Sequence, residues 1–229
     1  MMNIVPKHGE RAIIIGQTGS GKTAFARWLL SHMPGSIIYD TKIEPKFNSL
    51  SGRVICKDVV SGIEAYRKDD KNEVKYAVVR PSVVITQEPK LLDEMLYYHY
   101  ENGRNLTAYL DETYQFHVNG KAGPGLLSLL TRGRSRGITT VMATQRPAWL
   151  SRFCFTESQK FYIFPVVDKR DWKTISEVVP EMDKMPKPPK YHFYYYDFDL
   201  PQPVLYSPIK LNDGEDKYTD ELEDKRVWF

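Results

Sequence analysis

The stretch GQTGSGKT, Gly16–Thr23, decides how the chain is read. It follows the apolar run RAIII and precedes AFARWLL, so a glycine-rich turn sits between a strand and a helix. It satisfies G-x-x-x-x-G-K-[ST], and the flanking strand and helix separate a phosphate loop from an ordinary glycine-rich turn. Glycines at 16, 19 and 21 let backbone N–H groups turn inward onto phosphate oxygens. A helix starting near Lys22 adds the positive end of its dipole. The nucleotide-binding residues expected are Gly16, Gln17, Thr18, Gly19, Ser20, Gly21, Lys22 and Thr23. Lys22 is expected to reach the β- and γ-phosphates of ATP, and Thr23 to offer its hydroxyl to Mg²⁺.

The 229 residues are 41% hydrophobic and 27% charged, which suits one large core in a soluble chain. A formal net charge of +3 permits nucleic acid as a partner without demanding it. The two cysteines, Cys56 and Cys154, lie in apolar or aromatic surroundings with no C-x-x-C spacing and read as reduced, packed thiols of a cytosolic protein. The five histidines share no ligand spacing with them, which argues against zinc. The start, MMNIVPKHGE, lacks the apolar core of a signal peptide. No apolar run approaches the ~20 residues a bilayer span needs, so the chain is expected not to be membrane-inserted.

Short β-branched runs alternate with amphipathic ones, the pattern of an α/β, mostly parallel, doubly wound sheet. RAIIIG, SIIYDT, RVICKDV, KYAVVRP, LTAYLDE, ITTVMAT and KFYIFPV are expected strands; KTAFARWLLSHM, PKLLDEMLYYHYENG, LLSLLTRGRSRG and DKRDWKTISEVV are expected helices. EAYRKDDKNE reads as a charged, exposed segment, and HVNGKAGPG as a loop too rich in Gly and Pro for regular structure. Residues 1–180 are expected to form the core domain. Residues 181–229 would be a C-terminal linker (MPKPPK), a β-hairpin appendage and a charged tail on that domain. The aromatics of YYHY and YHFYYYDF read as core and interface packing in preference to base stacking.

A phosphate loop needs a carboxylate at the end of a neighbouring buried strand to hold Mg²⁺, and Asp111 in LTAYLDE is placed for it. Glu112 follows and can polarise the water that attacks the γ-phosphate. Twin acids favour hydrolysis over transfer to a small acceptor. A further strand, in RGITTVMATQRP, ends at Gln145, whose amide can donate to phosphate and accept from water. A plain polar loop start is the other reading there.

Together the glycine loop, YLDE and RGRSRGITTVMATQRP resemble the FtsK–HerA group of DNA-translocating ATPases, with YDTKIEPK similar to an Asp-x-Lys segment of that group. The resemblance runs from about Ile13 to Ile175 with the motifs in order. It implies a RecA-like P-loop fold with Gly16–Thr23 as Walker A, Asp111 and Glu112 as Walker B and Gln145 as sensor. Lacking the membrane segments or N-terminal barrel of other members, the chain is most similar to genome-packaging ATPases of icosahedral, internal-membrane-containing viruses. That implies a homo-oligomeric ring, a hexamer, pumping double-stranded DNA into a preformed capsid. It would work in the cytoplasm of the infected host or at the packaging vertex, beside capsid or vertex proteins.

Such a ring needs a cation from the adjacent subunit at the γ-phosphate. Arg146, Arg152 and Lys160 are candidates; Lys160 stands where the resemblance leads one to expect an arginine. Arg132, Arg134 and Arg136 form a second group, which as a helix end equally suits dipole pairing. Lys121, in HVNGKAGPG, is a candidate phosphate contact to DNA, or part of a plain surface connection. A P-loop kinase or transferase, a cellular plasmid- or chromosome-moving relative and a slow assembly switch are the competing readings. The absence of an Asn-Lys-x-Asp motif disfavours a GTPase.

Overall fold

The computed structural model describes residues 4–209. Strand β1 (Arg11–Ile15), buried along its whole length, runs into the glycine loop, and α1 (Lys22–Ser31) carries the chain back. Then come β2 (Ser36–Tyr39), β3 (Arg53–Cys56), α2 (Val59–Arg67), β4 (Tyr76–Val79), the single turn α3 (Val83–Thr86) and the long α4 (Pro89–Asn102). Strand β5 (Thr107–Leu110) leads through a hairpin, β6 (His117–Val118) and β7 (Lys121–Ala122), into α5 (Pro124–Arg132) and β8 (Thr140–Thr144). The described chain ends with α6 (Arg152–Thr156), β9 (Lys160–Ile163), α7 (Lys169–Ser176), β10 (Phe193–Asp197) and β11 (Val204–Tyr206).

The main sheet has nine strands in the order β11-β10-β9-β1-β8-β5-β2-β4-β3. From β9 to β3 every pairing is parallel, and β10 and β11 add antiparallel strands at the β9 side. Side chains alternate between two cores, as the two-residue repeat of a strand requires. Ile13 and Ile15 join Leu96, Leu129 and Ile175 on the face covered by α2, α4, α5, α6 and α7. Ala12 and Ile14 join Phe25 and Leu29 of α1, Phe47 and the rings of Phe193 and Tyr206 on the other. The sheet is thus α/β, mostly parallel and covered on both faces, with very unequal helical layers.

Several expectations need amending. The acid-bearing strand β5 is not next to β1, because β8 pairs with both. The first four of the ten residues read as a charged, exposed segment are helical: Glu64–Arg67 close α2, whose first turn is capped by the Asp58 carboxylate accepting from the Ser61 N–H at 2.8 Å. The loop HVNGKAGPG contains regular structure. Asn119 (φ 51°) and Gly120 (φ 73°) are both left-handed, the two-residue turn that suits the twist of a hairpin. The C-terminal hairpin extends the main sheet, with β10 hydrogen-bonded to β9. The charged stretch from Asn212 lies outside the described residues.

Helices α4 and α5 are joined by a buried carboxylate. Asp93 of α4 accepts from the backbone N–H groups of Gly125 and Leu126, each at 2.8 Å, so it caps the start of α5 from across the helix pair. The approach is close enough that a Cβ on Gly125 would lie 2.0 Å from the Asp93 carbonyl oxygen. Asp93→Ala removes the cap and leaves two buried donors, and it is expected to cost about 2 kcal/mol of unfolding free energy. Gly125→Ala, which forces the helices apart, is expected to cost more. Urea denaturation of the two variants beside the parent protein checks both.

Candidate nucleotide site

Four adjacent parallel strands, β1, β8, β5 and β2, end at one edge of the sheet, and each end delivers part of the site. β1 opens into the glycine loop, β8 leads to Gln145, β5 to Asp111 and Glu112, and β2 to Lys42, three residues past its end. Thr18, Gly19, Gly21, Lys22, Thr23, Lys42, Asp111 and Gln145 line one cleft of about 300 Å³. Lys22, Asp111 and Gln145 therefore share one cleft.

The loop is a backbone cradle. Gly19 (φ 75°) and Gly21 (φ 107°) occupy conformations open to glycine, and α1 starts directly at Lys22. Its rim is fixed from two strand ends: the Gly16 N–H donates to the Thr144 carbonyl at 3.2 Å, and the Gln17 N–H to the Pro165 carbonyl at 3.0 Å. Lys22 donates to the Gln17 carbonyl at 3.0 Å, across the space a phosphate would take. The Ser20 hydroxyl is buried and has no hydrogen-bond partner among the described residues. A triphosphate suits this chemistry: inward N–H groups, a helix N-terminus and an ammonium.

The amide and the acids are tied to one another. The Thr18 hydroxyl donates to the Gln145 side-chain oxygen at 2.6 Å, linking the loop to the end of β8. The Tyr109 hydroxyl donates to Asp111 at 3.0 Å from two residues before it on β5. Glu112 is 1% exposed; one oxygen accepts from the Gln145 N–H at 3.2 Å and the other is ion-paired with the Lys42 ammonium. Its carboxylate is held inside the fold by a residue from a different strand. Lys42 and Tyr109 were missed as site residues. The Asp-x-Lys segment had been noticed, but nothing local says which carboxylate its lysine meets 70 residues away.

Burial sets the charges. It pushes the Asp111 carboxyl up to about 6, opposed by the Tyr109 hydrogen bond and by Lys42, and it pulls the Lys22 ammonium down to about 8 against the pull of Glu112 and Asp111. Among the described residues no group of three His, Cys, Asp or Glu side chains converges to hold a metal ion. The Thr23 hydroxyl and the Asp111 carboxylate are hard oxygen donors in the same cleft. That set fits Mg²⁺, which takes one or two protein oxygens and completes its shell with phosphates and water.

The other candidates fare differently. Lys160 has to be corrected: its ammonium is 4% exposed and bonded to Asp197 and to the Tyr195 hydroxyl at 2.9 Å, within its own chain. It also sits at the start of β9, the edge opposite its own cleft, where it is a buried structural ion. Arg146 is bound to Asp168 at 3.0 Å and Asp171 at 3.6 Å, with its guanidinium 5.1 Å from the Trp149 ring centroid. Arg152 is exposed at the start of α6. Arg136 lies 4.3 Å from the Tyr100 ring centroid and donates to Glu101, a helix-end role. Lys121 is exposed beside the Asn119–Gly120 turn.

Fold and site together have the layout of a P-loop NTPase. The chain is homologous to the DNA packaging ATPase P9 of Enterobacteria phage PRD1, with 28% identity over 223 residues and 92% of each chain covered. No family model matches the sequence. Among solved structures, the genome packaging NTPase B204 of Sulfolobus turreted icosahedral virus 2, in complex with AMPPCP, superimposes with a TM-score of 0.68 at 18% identity. It covers 88% of this chain and 98% of that one. The cytoplasmic domain of the type VII secretion ATPase EccC of Thermomonospora curvata has the same fold, at a TM-score of 0.56 and 17% identity, over 95% of this chain and 28% of that one.

Two outcomes follow from the charges. Mg²⁺-dependent nucleotide binding is expected to weaken as pH falls below about 6, because protonated Asp111 loses the anionic oxygen the metal needs; titration calorimetry across that range reads it. Lys42→Met leaves Glu112 buried without its cation and is expected to destabilise the fold by about 3 kcal/mol. Adding Glu112→Gln removes the stranded charge, so the double variant is expected to recover much of that loss in the same denaturation assay.

Proposed function

We propose that this chain is an ATPase that moves double-stranded DNA into a viral capsid. The observation that carries the reading is the closure of Gln145 onto Thr18, with Asp111 in the same cleft as Lys22: a loop for the triphosphate, an acid for the metal and an amide bonded to the loop. The homology over 92% of the chain to a phage DNA packaging ATPase supports the same reading.

Lys22 binds the β- and γ-phosphates and offsets their charge. Thr23 and Asp111 would hold Mg²⁺, which neutralises the phosphate oxygens when bound. Glu112 accepts the proton of the attacking water once Lys42 is drawn toward the γ-phosphate, which competes for the same ammonium. Gln145, joined through its backbone N–H to Glu112 and through its side chain to Thr18, responds to whether the γ-phosphate is present. Its release after hydrolysis is the local event that drives movement.

The ring reading supplies the remaining cation. With Lys160 internally bonded and Arg146 held by two aspartates, exposed Arg152 is the residue for an adjoining subunit of a hexamer to present. Lys121, raised on its hairpin, is the phosphate contact for DNA, and the ring would stand at the capsid vertex of the infected host cell.

The test is the rate of ATP hydrolysis with and without long duplex DNA, alongside mass in solution with ATP. Stimulation by DNA and an ATP-supported oligomer are expected. Glu112→Gln is expected to lower turnover by at least about 100-fold while retaining ATP binding. A strictly monomeric protein whose turnover ignores DNA but rises with a small phosphate acceptor would be a kinase instead.

A further inference from the structure

The chain after α7 returns to the phosphate loop. It passes through Pro186, Pro188 and Pro189, with Pro188 buried, and enters β10 at Phe193. The stretch read above as a stiff linker therefore forms a wall. On its inner side, next to the phosphate cleft, lies a second cleft of about 340 Å³. Phe164, Phe193 and Ile209 line it, with Tyr191 also on its wall, and Ala24 and Phe25 of α1 opposite. Gly19 and Gly21 border both clefts, so the two adjoin.

A ligand that fills the phosphate cradle and continues along the start of α1 must place its next part here. The walls are aromatic and aliphatic, and they suit a flat, weakly polar group. Tyr191 is the unusual member. It is 47% exposed, and its backbone stands at φ 68°, a conformation rare and strained for a bulky side chain. A turn holds it there, with the His192 N–H donating to the Pro189 carbonyl at 3.1 Å. Its ring edge comes down on the loop, 3.3 Å from where a Cβ on Gly21 would be. The Lys190 ammonium lies 4.9 Å from the ring centroid. An exposed ring in a strained setting contributes little to packing; beside a phosphate loop it offers a stacking face.

We propose that Tyr191, with Phe164 and Ile209 behind it, forms the subsite that stacks on the purine base of the bound nucleotide. This deepens the ATP reading and rests on it. The flanking lysines Lys187 and Lys190 line the outer side of the same wall beside Gln17 and Thr18, and they place positive charge along the loop's far rim.

Titration calorimetry with ATP and, separately, with inorganic tripolyphosphate tests the assignment. Tyr191→Ala is expected to weaken ATP binding by about 10-fold or more while leaving tripolyphosphate binding unchanged, since base–aromatic stacking is worth that much. Tyr191→Phe is expected to bind ATP like the parent. Tyr191→Gly, which relieves the left-handed strain, is expected to lose the same affinity as Tyr191→Ala without loss of thermal stability. Unchanged ATP affinity in the Ala and Gly variants overturns the proposal, and so does an equal loss for both ligands. A parent protein that binds neither ATP nor tripolyphosphate removes the phosphate reading itself, and the base subsite with it.

Discussion

A parallel strand buried on both faces can offer chemistry only where it ends. That constraint organises the whole molecule. β1, β8, β5 and β2 are neighbours whose side chains are consumed by two cores, and the first residues beyond their shared edge are the glycine loop, Gln145, the acids and the turn to Lys42. β9 continues the series on the other side: its end supplies Phe164 and the Pro165 carbonyl that braces Gln17. Read across the edge from β9 to β2, the molecule passes from a flat apolar surface to a phosphate cradle, then to an amide, then to carboxylates, and last to a lysine. A nucleotide laid along that edge meets each of its own parts in turn.

The site is held under electrostatic tension by pairs that bridge strands. Glu112 reaches Lys42 from β2 and Gln145 from β8, so three strand ends share one buried carboxylate. Each partner constrains the others: moving Lys42 changes the field at Glu112, and moving Glu112 changes the backbone that sets Gln145. Burial of Asp111 and Lys22 acts in the same sense, since it disfavours both charged forms and opposite charge offsets that cost.

What was legible in the sequence was what is local. The glycine loop, its strand and its helix lie within about twenty residues and announce themselves by type and spacing, and the strands ending in Asp111 and Gln145 were read as buried runs closing on polar groups. Strand order was not legible: nothing in LTAYLDE or ITTVMAT says that β8 lies between β1 and β5. The Asn-Gly pair at 119–120 was a readable hairpin signal, and it was outweighed by the surrounding glycines and proline. Lys160 misled because its partner Asp197 lies on β10, where an apparently peripheral hairpin becomes part of the sheet and buries the ammonium. The segment Lys187–Tyr191 was invisible as a site for the same reason: its meaning lies in the loop it folds back upon, some 170 residues earlier.

The buried carboxylate of Asp93 has a mechanical consequence. It bolts the first turn of α5 to α4, while the His117 ring, accepting from the Ser151 N–H at 2.8 Å, clamps the base of the small hairpin to the segment beyond β8. The Thr113 hydroxyl, one residue past Glu112, is meanwhile anchored on the Ala143 carbonyl at 3.0 Å. The hairpin is therefore rooted beside the acids, tied to the segment beyond β8 and next to the α4–α5 pair. The acids and the root of the hairpin thus share one anchorage.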